Sequence, residues 1–113
     1  MPKNFGCPTL LALALAFSTL AFSTTSAPSA DASNGETLAR RWCAPCHAVA
    51  SDQRQTTGEA PPFSTIGSKP DFDSAKLALF LLIPHPKMPD MNLTRQAASD
   101  LAAYIALLGQ PKR

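Results

Sequence analysis

Two cysteines three positions apart, followed at once by a histidine, are the feature that most constrains this chain: Cys43-Ala44-Pro45-Cys46-His47. On a helical turn, residues at i, i+3 and i+4 share one face. Cys43, Cys46 and His47 are therefore expected to present two thiols and an imidazole to the same side. The chain around them is short, 113 residues with one possible domain. Its net charge of +2 and the absence of any Lys/Arg block exclude a nucleic-acid footprint.

The first thirty residues read as an export signal. Lys3 forms a basic start, Leu10 to Phe22 is apolar apart from Ser18 and Thr19, and Ala30-Asp31-Ala32 supplies small residues for cleavage after Ala32. A cut after Ala27 would leave Pro28 at the new terminus, which the peptidase tolerates poorly, and a cut after Ser23 is a weaker rival. About 13 apolar residues fall short of the roughly 20 that span a bilayer, so the segment is a signal and no anchor. The expected organisation is a cleaved signal over 1–32 and one domain over 33–113, without a membrane span in the mature chain and located in the periplasm. Cys7 leaves with the signal, and two cysteines remain. An 81-residue domain has a thin apolar core and ordinarily needs a staple.

Three helical stretches are predicted, and no period-2 strand pattern of useful length appears, so the class is all-α. The first runs from about Asn34 or Gly35 to Cys46, with Asn34 as N-cap and Glu36 in the first turn. The second covers Ser74 to Ile83, capped by Asp73 or Ser74 and stopped by Pro84. Its near-continuous apolar run predicts burial on more than one side. The third is capped by Thr94, with Leu101, Tyr104, Ile105 and Leu108 at i, i+3, i+4 and i+7, and Gly109 in a left-handed C′ position before Pro111. Between the first two, His47 to Phe72 reads as a loop too long for a compact domain unless it wraps something.

The Cys-x-x-Cys-His spacing is the attachment signature of c-type haem. A disulfide between Cys43 and Cys46 would be strained and would close only a tiny loop. A thioredoxin-type pair needs a βαβ context that is missing. A zinc site wants four ligands, and only two Cys and two His remain. The expected cofactor is one covalent haem c, with Cys43 and Cys46 as thioether anchors and His47 as an axial iron ligand. For the second ligand, Pro84-His85-Pro86-Lys87-Met88-Pro89-Asp90-Met91 offers His85, Met88 and Met91, and His/Met ligation raises the potential.

Taken together, the Cys-x-x-Cys-His run, the Met88-Pro89 pair and the Leu-Ala-Ala-Tyr-Ile helix of residues 101–105 resemble the small class I bacterial c-type cytochromes, over essentially all of Asn34 to Leu108. The resemblance implies a cytochrome c fold, with three main helices and long loops around one haem. It makes Met88, 16 residues before Tyr104, the sixth ligand, and Met91, at 13, the runner-up. It also implies that Gly35 packs the first helix across Leu101 and Tyr104 of the last, although Ala39 departs from the larger residue usual there. A loop carbonyl, of Pro61 or Pro62, would orient the proximal imidazole. Leu77, Phe80, Leu81, Phe63, Ile66 and Leu93 would be buried against the cofactor.

The expected function is periplasmic electron transfer with no catalytic residues, by a monomer serving redox proteins such as a terminal oxidase, reductase or dehydrogenase. Two alternatives stay open: an open-site haem protein, peroxidase-like or gas-binding with His85 as distal group, and a dedicated haem subunit of a larger dehydrogenase or reductase. Lys69, Lys76 and Lys87 read first as solvated charges, and secondly as a ring steering an acidic partner. Arg40 and Arg41 are either solvated or paired to a propionate. Trp42 is core or a haem contact.

Overall fold

The computed structural model describes residue 2 and residues 26–54, 56–83 and 85–111. The apolar run of the expected signal and the helix-stopping role of Pro84 lie outside them. Among the described residues the chain is helical without strands, as expected. Helix α1 spans Ala32–Leu38, α2 Phe63–Gly67, α3 Ser74–Leu81 and α4 Arg95–Leu108.

The first helix starts earlier than expected. Its N-cap is Asp31, whose carboxylate accepts the amides of Ser33 and Asn34 at 2.9 and 3.2 Å. Asn34 lies inside the helix and turns its side-chain amide to Asp100 at 2.7 Å. An aspartate nearer the start already satisfies the free first-turn amides, so Asn34 is released for a tertiary contact. Beyond Leu38 the helix widens into a π-helical stretch, Ala39–Cys43, closed by the Ala44 amide on the Ala39 carbonyl at 3.0 Å.

Helix α4 is the element on which α1, α2 and α3 all pack. Thr94 caps it as predicted, accepting from the Ala97 amide at 3.0 Å. Leu101, Tyr104 and Ile105 are buried from its predicted face and meet Ala39, Cys43, Val49 and Phe63 in the main core. Each crossing is made where side chains are smallest. A Cβ on Gly35 would strike the Asp100 carbonyl and the Tyr104 Cβ, so the contact is with the α4 backbone and Tyr104, and Leu101 is not among the nearest neighbours. The alanines 78, 98 and 102 form the seam between α3 and α4.

Gly109 corrects another expectation. Its φ is −80°, ordinary right-handed backbone, so no left-handed cap is present. Glycine is needed there for a steric reason: a Cβ would land on the Gly67 carbonyl group at the end of α2. The second predicted helix is also less buried than its composition suggested. Ala78 alone is fully buried on α3, while Leu79 and Phe80 are 61% and 51% exposed. One edge of α3 rests on α4, and Leu77, Phe80 and Leu81 border a cavity.

Asp100 is 2% exposed on the inner side of α4. It accepts from the Asp31 amide at 2.8 Å, Asn34 Nδ2 at 2.7 Å and Gln96 Nε2 at 2.8 Å. Burial alone would raise its pKa, but these three donors together outweigh it and hold the carboxyl below its ordinary value. A depressed folded pKa gives stability that is present above the unfolded value of about 3.9 and lost as pH falls through the folded value. Asp100→Ala is expected to cost about 2–3 kcal/mol in urea unfolding at pH 7, because it strands three donors. Asp100→Asn is expected to flatten the acid limb of the stability profile below about pH 4. Gly35→Ala is expected to cost about 2–3 kcal/mol through forced separation of α1 from α4, read from its denaturation midpoint.

Candidate functional site: a cysteine–histidine turn at the mouth of an apolar cavity

Pro45 has no amide hydrogen to offer the preceding turn, and the π-helical stretch ends just before it. The amides of Cys46 and His47 both donate to the Cys43 carbonyl, at 3.1 and 2.9 Å. The motif thus closes one helical turn on its first cysteine, with the i, i+3, i+4 relation that its spacing predicts. Cys43 is buried and Cys46 exposed, and the two are not joined in a disulfide. Burial, and to a lesser degree the neighbouring Cys46, pushes the Cys43 thiol up to about 11. A thioredoxin-like pair would need a βαβ setting, and the described residues are helical without strands.

The stretch after the motif is tied down by residues that sequence reasoning passed over. Gln53 accepts from the Val49 amide at 2.8 Å and donates to the carbonyls of Ala44 at 2.8 Å and His47 at 2.9 Å. Tyr104 of α4 donates its hydroxyl to the Val49 carbonyl at 2.7 Å. Burial raises the phenol's pKa, as does the nearby Glu36 charge, so the hydroxyl stays a donor. The Phe63 amide donates to the Ala48 carbonyl at 2.9 Å, and α2 begins at that residue. The segment expected to be structureless therefore contains a helix and a side-chain knot. The only advance signal was Gln53 itself, a side chain able to donate and accept amid prolines and glycines.

His47 is oriented from two sides. Its Nδ1 donates to the Pro61 carbonyl at 2.6 Å, which resolves the choice between Pro61 and Pro62. Its ring packs at 5.1 Å and 53° against Phe63, which is 4% exposed. Among the described residues Nε2 has no hydrogen-bond partner, so it is the nitrogen left for a ligand.

Cys43, Cys46 and His47 line a cavity of about 710 Å³, well inside the roughly 300–1,000 Å³ of small-molecule sites. All six side chains expected against a cofactor, Leu77, Phe80, Leu81, Phe63, Ile66 and Leu93, are on its wall. The loop contributes Ala60 and Pro61, and the proline-rich segment contributes His85, Met88 and Met91. Lys87, just before Met88, has φ +73°, a strained turn for a side-chain-bearing residue. His85 stacks on Phe80 at 4.1 Å, its Nδ1 donates to the Ile83 carbonyl at 2.9 Å, and its Nε2 lies 3.1 Å from Met88 Sδ.

The charged neighbours divide between surface ion pairs and the rim of the cavity. Arg40 bridges Glu36 at 2.9 Å and Asp52 at 3.0 Å on the surface. The Arg41 guanidinium lies 5.2 Å from the Trp42 ring centre, and Trp42, 44% exposed, borders the cavity. Lys69 and Lys87 also border it, whereas Lys76 does not.

A closed Cys-x-x-Cys-His turn on an apolar cavity, in an all-α chain, defines the class of covalent-haem proteins. No protein-family model and no solved structure matches the chain. It is 52% identical over 89 residues to cytochrome c-552 of Bradyrhizobium diazoefficiens, covering 79% of this chain and 86% of that protein. The chain belongs to the small bacterial c-type cytochromes: it is a haem c electron-transfer protein, and its cofactor is covalently bound.

The donor set fits that group: two thiols, an imidazole with one uncommitted nitrogen, two thioethers and an apolar wall share one cavity. Gln53→Ala removes the knot behind this turn. It is expected to cost about 1–3 kcal/mol in equilibrium unfolding and to speed hydrogen exchange at the Val49 amide.

Proposed function

We propose that the protein is a periplasmic electron carrier whose haem is held by Cys43 and Cys46, with His47 and Met88 as axial ligands. The observation that carries this reading is the shared cavity: the thiol–imidazole turn and the Met88 segment border the same apolar space. Bound haem c supplies a one-electron Fe(III)/Fe(II) couple. Cys43 and Cys46, both on the cavity wall, would hold the haem through two thioethers. Pro61 and Phe63 fix the His47 ring, so its Nε2 is presented in one orientation before and after electron transfer. Two ligands that stay bound minimise rearrangement between oxidation states.

Met88 is favoured over Met91 by its place beside proline and 16 residues before Tyr104, the spacing of the resembling family. His85 bonds the Ile83 carbonyl and stacks on Phe80, which suits a wall residue better than a free distal acid or base. The periplasmic location rests on the apolar leader; among the described residues no helix is long and apolar enough to cross a membrane. The partners are other redox proteins, meeting the chain where Trp42, Lys69 and Lys87 border the cavity.

Visible absorption of the oxidised protein tests the ligand assignment. The weak long-wavelength iron–thioether band is expected to vanish in Met88→Leu with a fall in midpoint potential, and to persist in Met91→Leu. Loss in Met91→Leu alone would reverse the assignment. Cys43→Ser with Cys46→Ser is expected to abolish haem that survives denaturing electrophoresis.

A further inference from the structure

The chain immediately before α1 is built into the fold. The Asp31 amide donates to Oδ1 of the buried Asp100 at 2.8 Å. The Asp31 side chain caps α1, and its carbonyl accepts the Gly35 amide at 2.9 Å. Two residues upstream, the Ser29 carbonyl accepts from Gln96 Nε2 at 3.2 Å, and Gln96 also holds Asp100. Ala32 is the first residue of α1 and packs against the main core. The Ala32–Ser33 bond, where the leader's small-residue pattern places the cut, therefore lies inside a packed helical turn.

We propose that the leader is removed upstream of Asp31 and that Asp31 is retained as a structural part of the mature chain. The inference rests on the export reading above. Cleavage after Ala32 would take away α1's cap and one of the three donors that a buried carboxylate depends on. It would also put a new α-ammonium in the first turn of α1, where the helix dipole is already positive. Small residues at −3 and −1 occur upstream at Ala21/Ser23 and Ala27/Ser29, neither followed by proline. A cut at either of these keeps every contact to Asp100. The step is plain hydrolysis by an exported-protein peptidase: water gives its hydroxyl to the carbonyl carbon and its proton to the released nitrogen.

Intact mass and terminal sequencing of the exported, haem-loaded protein decide the matter. The expected amino terminus is Thr24 or Ala30, and any terminus at or before Asp31 that has lost the apolar run supports the proposal. A terminus at Ala32 or later overturns the placement but leaves the export reading intact. An uncleaved chain overturns both. A second measurement reads the structural role: deletion of residues 24–32 is expected to lower the melting temperature of the haem-loaded protein by about 4 °C or more. An unchanged melting temperature would show Asp31 to be dispensable and overturn its structural role.

Discussion

The approach of three short helices to α4 is the constraint on which the rest of the structure depends. None of the three is long enough to be stable alone, since isolated helices below about 12–15 residues are marginal in water. Each therefore has to bury a face against the 14-residue α4. The seams are made of Gly35, of Gly67 against Gly109, and of the alanines 78, 98 and 102. Small residues bring backbones close and leave Leu101, Tyr104 and Ile105 to fill the space between α1, α2 and the loop. The same geometry encloses a large apolar cavity between α3, the loop and the proline-rich segment, and that cavity is the site.

Much of this was legible because it rests on local chemistry. The Thr94 cap, the buried stripe of α4 and the one-turn geometry of Cys43, Cys46 and His47 follow from spacing and turn preference. So did the set of apolar side chains around the cavity, since an apolar residue in a small domain with a missing core has few other places to go. The family membership fits those elements.

What was not legible depends on contacts distant in sequence. Asn34 looks like a cap because nothing local shows that Asp31 already serves, held by Asp100 from 69 positions away. Gly109 looks like a left-handed terminator, since the Gly67 backbone that excludes its Cβ comes from another helix. The apolar run of α3 predicted burial against protein, whereas part of it faces the cavity. Gln53 carried no pattern at all; its role exists only once the carbonyls of Ala44 and His47 converge on it.

Those distant contacts also explain how a loop can hold a ligand steadily. A rigid path runs from α4 to the imidazole: Tyr104 holds the Val49 carbonyl, Val49 offers its amide to Gln53, and Gln53 holds the His47 carbonyl. From the other direction, Phe63 is fastened to Ala48 and packs on the His47 ring, with Pro61 bonding Nδ1 two residues earlier. The histidine is thus fixed at its backbone by one set of contacts and at its ring by another. Motion of the long loop must break the buried Tyr104–Val49 bond and the part-buried Gln53 bonds before it can tilt the ring, and shielded bonds open less often than exposed ones. The loop is long because it has to encircle the cavity, and it is stiff because α4 reaches across to hold it.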